Sequence, residues 1–582
     1  MIGKKLAVII IAMLNFNDIG AQRETLTIKV VETSDVHGCF FPKDITGKSS
    51  VEGSMARVAH YLKKLRNDYG DNVILVDNGD ILQGQPVTYY YNYVDTTKTN
   101  IAAQVLNYMH YDVANIGNHD IETGHRVYDK WIGETNCPVL GANIINESKG
   151  DTYLTPYTIL NKGGVRIAVL GMTTPAIPFW LNKNLWNNLV FNDIVENAKK
   201  WVEYIRRHEN PHVLIMLLHS GWEGGIATSN YVENATKAVA EQVEGIDMLL
   251  FGHDHIPHCS YHQSPNGTVL CLNPSNNAKN VAEATIQLEL SNGDLVEKTI
   301  SGKLVDISTL EPDDDFVDYF MPQLNMVSKW ADTPLGKFSK TISTRDSFFG
   351  SSPFTDLILN LQLTITGADI AFNAPLDFDK EIKEGYITIG DMFNLYKYEN
   401  QLYVMKLSGR EIRNHLEMSY DLWANTMKSP SDHLLKLKES SKNDSRCMEF
   451  ANLLFNFDSA AGIDYEVDVT KPDGEKVKIL KMSDGQLFDE DKYYKVAINS
   501  YRGNGGGELL TRGACIDKDS LENRIIWESQ RDQRWYLMQE IKKKGTVEPK
   551  ANNNWKFVPE KLTIPAAIRD RKILFGDTVS SK

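Results

Sequence analysis

Five short apolar runs in the first half of the chain each end in a side chain that can bind metal, and this recurrence constrains the fold sharply. In order they read KVVETSDVHG (Asp35, His37), VILVDNGD (Asp80), VANIGNHD (Asn118, His119), VLIMLLHSG (His219) and MLLFGHDHIPH (His253, His255). Continuous apolar runs of this length, alternating with helical stretches such as residues 55–65 and 100–109, read as buried strands of a layered α/β domain. In such domains the loops that gather ligands lie beyond the carboxyl ends of the strands. A single histidine is usually a satisfied core residue. Five donor-bearing strand ends in succession read as a site.

The donor types indicate the chemistry. Carboxylate, imidazole and amide groups together suit two adjacent divalent cations, with one carboxylate shared between them. Asp80 is the candidate bridge. Such a pair equips a chain for phosphoester hydrolysis, in which a hydroxide between the cations attacks phosphorus in line and the cations neutralise the phosphoryl oxygens. Zn, Mn, Fe and Co all accept this donor set, so the metal's identity stays open.

The length of 582 residues allows two to four domains. The α/β alternation fills residues 24–310. Residues 311–334, acidic at first and then helical, read as a linker and hinge helix. Residues 335–582 mix strands and helices in a second, α+β domain. A net charge of −14 argues against binding to nucleic-acid polymers or to a basic membrane patch. Residues 1–21 read as a secretory signal peptide: Lys4 and Lys5 precede a nine-residue apolar run, and Gly20-Ala21 offers a small-residue cleavage site. That run is too short to span a bilayer, and no later segment is long and apolar enough to do so. The expected location is therefore secreted or periplasmic. Six cysteines in an exported chain permit disulfides, and Cys259 with Cys271, which flank a turn-like QSPNG, are the first pair to consider. Oligomeric state is not legible, and a monomer is plausible.

The motifs DxH, GD, GNH, H and GHxH together resemble the calcineurin-like metallophosphoesterase superfamily. Over nearly all of the mature chain the sequence resembles the two-domain 5′-nucleotidase family within it. The resemblance implies an N-terminal four-layer α/β/β/α sandwich and a C-terminal substrate-binding domain. By motif position, one metal would take Asp35, His37, Asp80 and His255, and the other Asp80, Asn118, His219 and His253. His119 matches the family's transition-state or leaving-group histidine. In GNHDIETG either Asp120 or Glu122 could orient its ring, and the choice stays open.

In the second domain the resemblance implies that Tyr398, in KYENQ, and Tyr501, in NSYRGNGGG, stack on a nucleobase. Asn400 would be their polar neighbour, and glycines such as Gly505 and Gly506 would let backbone approach the ligand. Typical 5′-nucleotidases carry an N-G-G-x-R stretch where this chain reads GADIAFNAPLDF, with Asn373 and no arginine. That departure resembles the 2′,3′-cyclic-nucleotide 2′-phosphodiesterase and 3′-nucleotidase branch. The first expectation is therefore a nucleotide or cyclic-nucleotide substrate of that class. The alternatives are a 5′-nucleotidase/UDP-sugar hydrolase and, more remotely, a non-catalytic nucleoside-binding protein.

Overall fold

The computed structural model describes residues 23–46, 50–291, 294–440 and 448–576. The signal-peptide reading at residues 1–21 and Cys447 lie outside the described residues.

Two six-stranded sheets form the heart of the first domain. One has the spatial order Asp294–Asp306, Asn280–Ser291, Arg23–Thr33, Val73–Asp77, Val113–Asn115 and Val139–Leu140. The other runs His258–Ser264, Gly267–Asn273, Met248–Phe251, Val213–His219, Val165–Thr173 and Tyr157–Lys162. The strands that carry the candidate donors pair with one another in parallel, and Arg23–Thr33 pairs antiparallel with Asn280–Ser291 on its outer side. They are apolar on both faces because each face meets a core. In Val213–His219, residues Val213, Ile215 and Leu217 enter the core between the sheets. Leu214, Met216 and Leu218 enter the core under the helices Ile194–His208 and Thr236–Gln242. The period of two along a strand thus builds a four-layer α/β/β/α sandwich, as expected.

The second domain is built on a five-stranded sheet ordered Ser459–Ala461, Ile370–Asn373, Tyr493–Asn499, Gln401–Ser408 and Ile525–Asp532. The helices Pro353–Thr366 and Gly409–Trp423 pack on it. Between the domains lies the helix Asp314–Ala331, begun by Asp313, whose carboxylate accepts from the Phe316 N–H at 2.9 Å. Its apolar side (Phe316, Phe320, Val327, Ala331) is buried in the outer core of the first domain.

The Cys259–Cys271 pairing does not form. In the hairpin register Cys259 faces Leu272 and Cys271 faces Ser260, so the two thiols lie on opposite faces of the ribbon. Cys259 is exposed and Cys271 buried, and both are free.

Candidate metal centre

The candidate donors cluster at strand ends: His219 closes its strand, Asn118 opens a short helix, and the other five stand in backbone that strands cannot continue. Asp35, His37, Asp80, His253 and His255 all adopt positive φ, between 48° and 78°. For a residue with a Cβ this conformation costs roughly 1–2 kcal/mol, and such strain concentrates at functional sites. Two neighbouring glycines are required by close approach. A Cβ on Gly117 would sit 2.2 Å from Asp80 Oδ1, and one on Gly252 would sit 2.5 Å from Asp35 Oδ2. The glycine of GNH and that of GHxH make room for the carboxylates.

The donors converge in two groups, Asp35/His37/His255 and Asp80/His219/His253, with the offered atoms of each group within 4.8 Å of one another. Nε2 of His37 lies 3.1 Å from Nε2 of His255, which lies 3.2 Å from Asp35 Oδ1. Nε2 of His219 lies 3.1 Å from Asp80 Oδ2 and 3.2 Å from Asn118 Oδ1. Donors held about 2.0–2.2 Å from one zinc-sized ion sit roughly 2.9–3.5 Å apart along the edges of its coordination shell. The observed separations fall in that range, so the residues fit a pair of dications.

Hydrogen bonds behind the donors set their orientation. His219 gives its Nδ1 proton to the Asn78 carbonyl at 2.7 Å, which leaves Nε2 as the free lone pair. Asn78 is itself pinned, donating to Glu32 and to the carbonyls of Leu218 and Leu250, which belong to two strands of the other sheet. His255 Nδ1 meets the Asn276 side-chain amide at 2.9 Å. His253 Nε2 meets Glu233 at 3.0 Å.

The electrostatics agree with this arrangement. Burial works against ionised Asp35 and Asp80, yet His219 beside them holds both well below the ordinary carboxylate range. Conversely, burial opposes a charged His219, but Asp80 and Asp35 outweigh it and raise the ring to about 10. The two carboxylates therefore call for positive charge between them. Burial, helped by His255, lowers His37 to about 4 and keeps that ring neutral, as a ligand must be. Nearby Asp77, which accepts from the Thr33 hydroxyl, is pushed up to about 8 by burial.

The geometry distinguishes the two acids after His119. Glu122 meets His119 Nδ1 at 2.5 Å. Asp120 faces away and accepts from the backbone N–H groups of Asp80, Ile81, Leu82 and Gly117. Asp120 therefore fixes the loop that carries Asp80; its placement among the catalytic candidates is corrected. The His119 backbone N–H donates to Asp80 Oδ1 at 2.7 Å, tying this turn of chain to the donor cluster. Burial opposes a charged His119, but Asp80 and Glu122 outweigh it and raise the ring to about 9.

The second domain brings its aromatic residues to the same cleft. Tyr501 follows the strand Tyr493–Asn499, and the edge of Phe455 meets its ring at 6.0 Å. Burial raises the Tyr501 hydroxyl above its ordinary value, Arg502 opposes this, and Glu233 of the first domain adds to it. Buried Arg502 braces this corner, binding Asp458, the Asn456 side chain and the carbonyls of Phe455 and Gly506. Tyr398 hangs from a neighbouring loop whose carbonyls accept from Arg534. The polar-neighbour reading of Asn400 changes: its amide is buried and turns to the Tyr396 hydroxyl. The glycine reading changes too. A Cβ on Gly506 would lie 2.6 Å from the Tyr501 ring, so that glycine accommodates the tyrosine; Gly505 is glycine because its φ is +101°.

Contacts between the domains frame the cleft. The Trp180 carbonyl accepts from Asn504 at 2.9 Å, and the Trp180 ring lies 5.7 Å from that of His253. Asn182 donates to the Tyr403 hydroxyl and to Glu528. Sequence reading missed Glu233, Asn78, Trp180 and Arg502. Asn78 lies within VILVDNGD and Arg502 follows Tyr501, but neither is a donor in the motif that marks its neighbour, and Glu233 and Trp180 lie in no motif.

The calcineurin-like phosphoesterase family matches residues 28–257, and the 5′-nucleotidase C-terminal domain family matches residues 332–512. The chain is 26% identical to the trifunctional nucleotide phosphoesterase protein YfkN of Bacillus subtilis over 91% of its own length, but spans only 39% of that protein. It is 25% identical to the 2′,3′-cyclic-nucleotide 2′-phosphodiesterase/3′-nucleotidase of Haemophilus influenzae, covering 92% of this chain and 88% of the relative. Among solved structures, a 5′-nucleotidase precursor from Thermus thermophilus shares the fold with a TM-score of 0.62 at 20% identity, covering 92% of this chain and all of that one.

Proposed function

We propose, for a chain that belongs to the 5′-nucleotidase family of calcineurin-like phosphoesterases, that it is a metal-dependent hydrolase of 2′,3′-cyclic nucleotides and 3′-nucleotides. The observation that carries this choice is Asn373. It begins the stretch that stands where typical 5′-nucleotidases carry N-G-G-x-R, here Asn373-Ala374-Pro375-Leu376-Asp377 with no arginine, and its buried amide folds back onto the Ala374 carbonyl at 2.6 Å. The cyclic-nucleotide relatives that run nearly the length of the chain support the same reading. We propose further that the chain is exported through residues 1–21; among the described residues no helix is long and apolar enough to cross a membrane.

In this reading Asp35, His37, Asp80 and His255 hold one divalent cation, and Asp80, Asn118, His219 and His253 hold the other. When bound, the cations supply neutralising charge at the phosphoryl oxygens and a nucleophile at neutral pH. The protein's own groups do the rest. Asn78 fixes which nitrogen His219 offers, and Asn276 meets the other nitrogen of His255. His119, held charged by Asp80 and Glu122, sits where it can stabilise the transition state or give a proton to the leaving ribose oxygen. Tyr398 and Tyr501 hold the base across the cleft, so the phosphate lies over the donors. Residues 332–334, at the C-terminal end of the helix that packs on the first domain, are where a hinge would act.

A substrate panel tests the assignment. With Mn²⁺ present, the purified protein should release phosphate from 3′-AMP and open 2′,3′-cAMP faster than it hydrolyses 5′-AMP or a UDP-sugar. Preference for 5′-AMP would overturn the substrate class, and shorter matches to UshA proteins make it the second reading. Tyr501→Ala should raise KM for nucleotides roughly 10- to 100-fold, the worth of about 1–3 kcal/mol of base stacking. It should barely change hydrolysis of p-nitrophenyl phosphate. Equal loss on both substrates would contradict the clamp.

A further inference from the structure

We propose that Glu233 is a positioning residue: it selects Nδ1 of His253 as the atom offered to the second cation and sets that position's metal affinity. This rests on the reading of His253 as a metal ligand. Glu233 stands on a small hairpin, Gly224–Ala227 paired with Val232–Asn234, inserted between the strand that ends at His219 and the helix Thr236–Gln242. Most of that hairpin is exposed and makes no core, so packing does not explain its acid. The Glu233 side chain nevertheless is only 14% exposed and both its oxygens are engaged. Oε2 accepts the Ile226 N–H at 2.7 Å, which fixes the carboxylate to the hairpin backbone. Oε1 lies 3.0 Å from His253 Nε2.

The hairpin itself is fastened to the metal-bearing loops. The Glu233 carbonyl accepts from the hydroxyls of Ser220, next to His219, and of Thr174. Asn234 accepts from the Gly221 N–H at 3.0 Å. A carboxylate held this way accepts a proton from Nε2 and leaves the Nδ1 lone pair as the donor His253 can offer beside Asp80 and His219, the other members of its group. The negative charge also makes the imidazole more basic and a stronger ligand. The arrangement mirrors His219, whose Nδ1 is taken by Asn78 and whose Nε2 faces Asp80 and Asn118. Two histidines of one group are thus oriented through opposite nitrogens by different partners.

The test is chelator competition with Mn²⁺ on the full chain, with circular dichroism of the metal-free proteins alongside. Wild type should bind two equivalents. Glu233→Gln keeps shape but not charge, and should bind the weaker equivalent 10- to 100-fold less tightly while the tighter one and the fold stay unchanged. Unchanged affinity at both positions would overturn the proposal. Fewer than two equivalents in wild type would instead overturn the metal reading beneath it. Should the variant misfold, imidazole ¹⁵N spectra of metal-free wild type, with the His253 signal assigned by His253→Gln, decide the matter. A proton on Nε2 supports the proposal; a proton on Nδ1 overturns it.

Discussion

His119→Ala should lower kcat on nucleotides by about 10²–10⁴-fold, the usual contribution of a positioned acid, while metal content stays at the wild-type level. The separation of the two readouts follows from geometry. His119 has its Nδ1 committed to Glu122 and its backbone N–H committed to Asp80, and it belongs to neither donor group. The ring lies 5.3 Å from that of His37, close enough to reach an oxygen leaving a phosphate bound over the donors. Loss should be smaller on p-nitrophenyl phosphate, because its phenol leaves without a proton far more readily than a ribose hydroxyl does. Glu122→Gln should fall between wild type and His119→Ala, since it removes the charge that favours the imidazolium but keeps a hydrogen-bond partner. Metal loss accompanying the activity loss in His119→Ala would show that the residue is a ligand instead.

Asp80→Ala should abolish turnover, by at least about 10³-fold, and should do so by lowering occupancy at both metal positions together. Asp80 is nearly fully buried, and its carboxylate faces His219 at 3.1 Å while one oxygen also accepts the His119 N–H at 2.7 Å. The charge of Asp80 also bears on His37 of the other group, whereas Asp35 reaches His219 only at 4.0 Å. The expected contrast is His219→Ala, which should weaken one position and leave the other. Equal and independent losses at Asp80 and His219 would mean that the positions do not share a ligand. Both variants keep the strand-to-loop backbone that Asp120 holds through its four N–H contacts, so the measurement reads metal binding and not unfolding.

Much of this was written in the chain before any fold was known, for a physical reason. A strand buried on two faces must be apolar throughout, so the polar residue that ends it stands out, as at Asp80 after VILVD and His253 after MLLF. What was not legible depends on register or on contacts distant in sequence. Asp120 and Glu122 look alike beside His119; the short helix Asn118–Glu122 decides, because it turns one toward the ring and the other toward the loop after Asp77. Cys259 and Cys271 look paired until the hairpin register is known. A shift of a single residue, with Cys259 opposite Leu272, sends the two side chains to opposite faces. Glu233 was invisible because an acid on an exposed hairpin has no pattern of its own, and only the meeting of that hairpin with the loop after Phe251 gives it a partner. The neighbour of Gly506 is the Tyr501 ring, which no pattern in the sequence announces, because a glycine's need for space does not say what fills it.

The central claim is that two adjacent cation positions share Asp80 at the strand ends of the first domain. Anomalous diffraction from Mn²⁺-soaked crystals of the full chain measures it directly. Two peaks about 3.5–4 Å apart, with Asp80 bonded to both and His219 and His255 on opposite sides, are the expected result. A single peak, or two peaks with Asp80 bonded to only one of them, would contradict the shared-carboxylate centre.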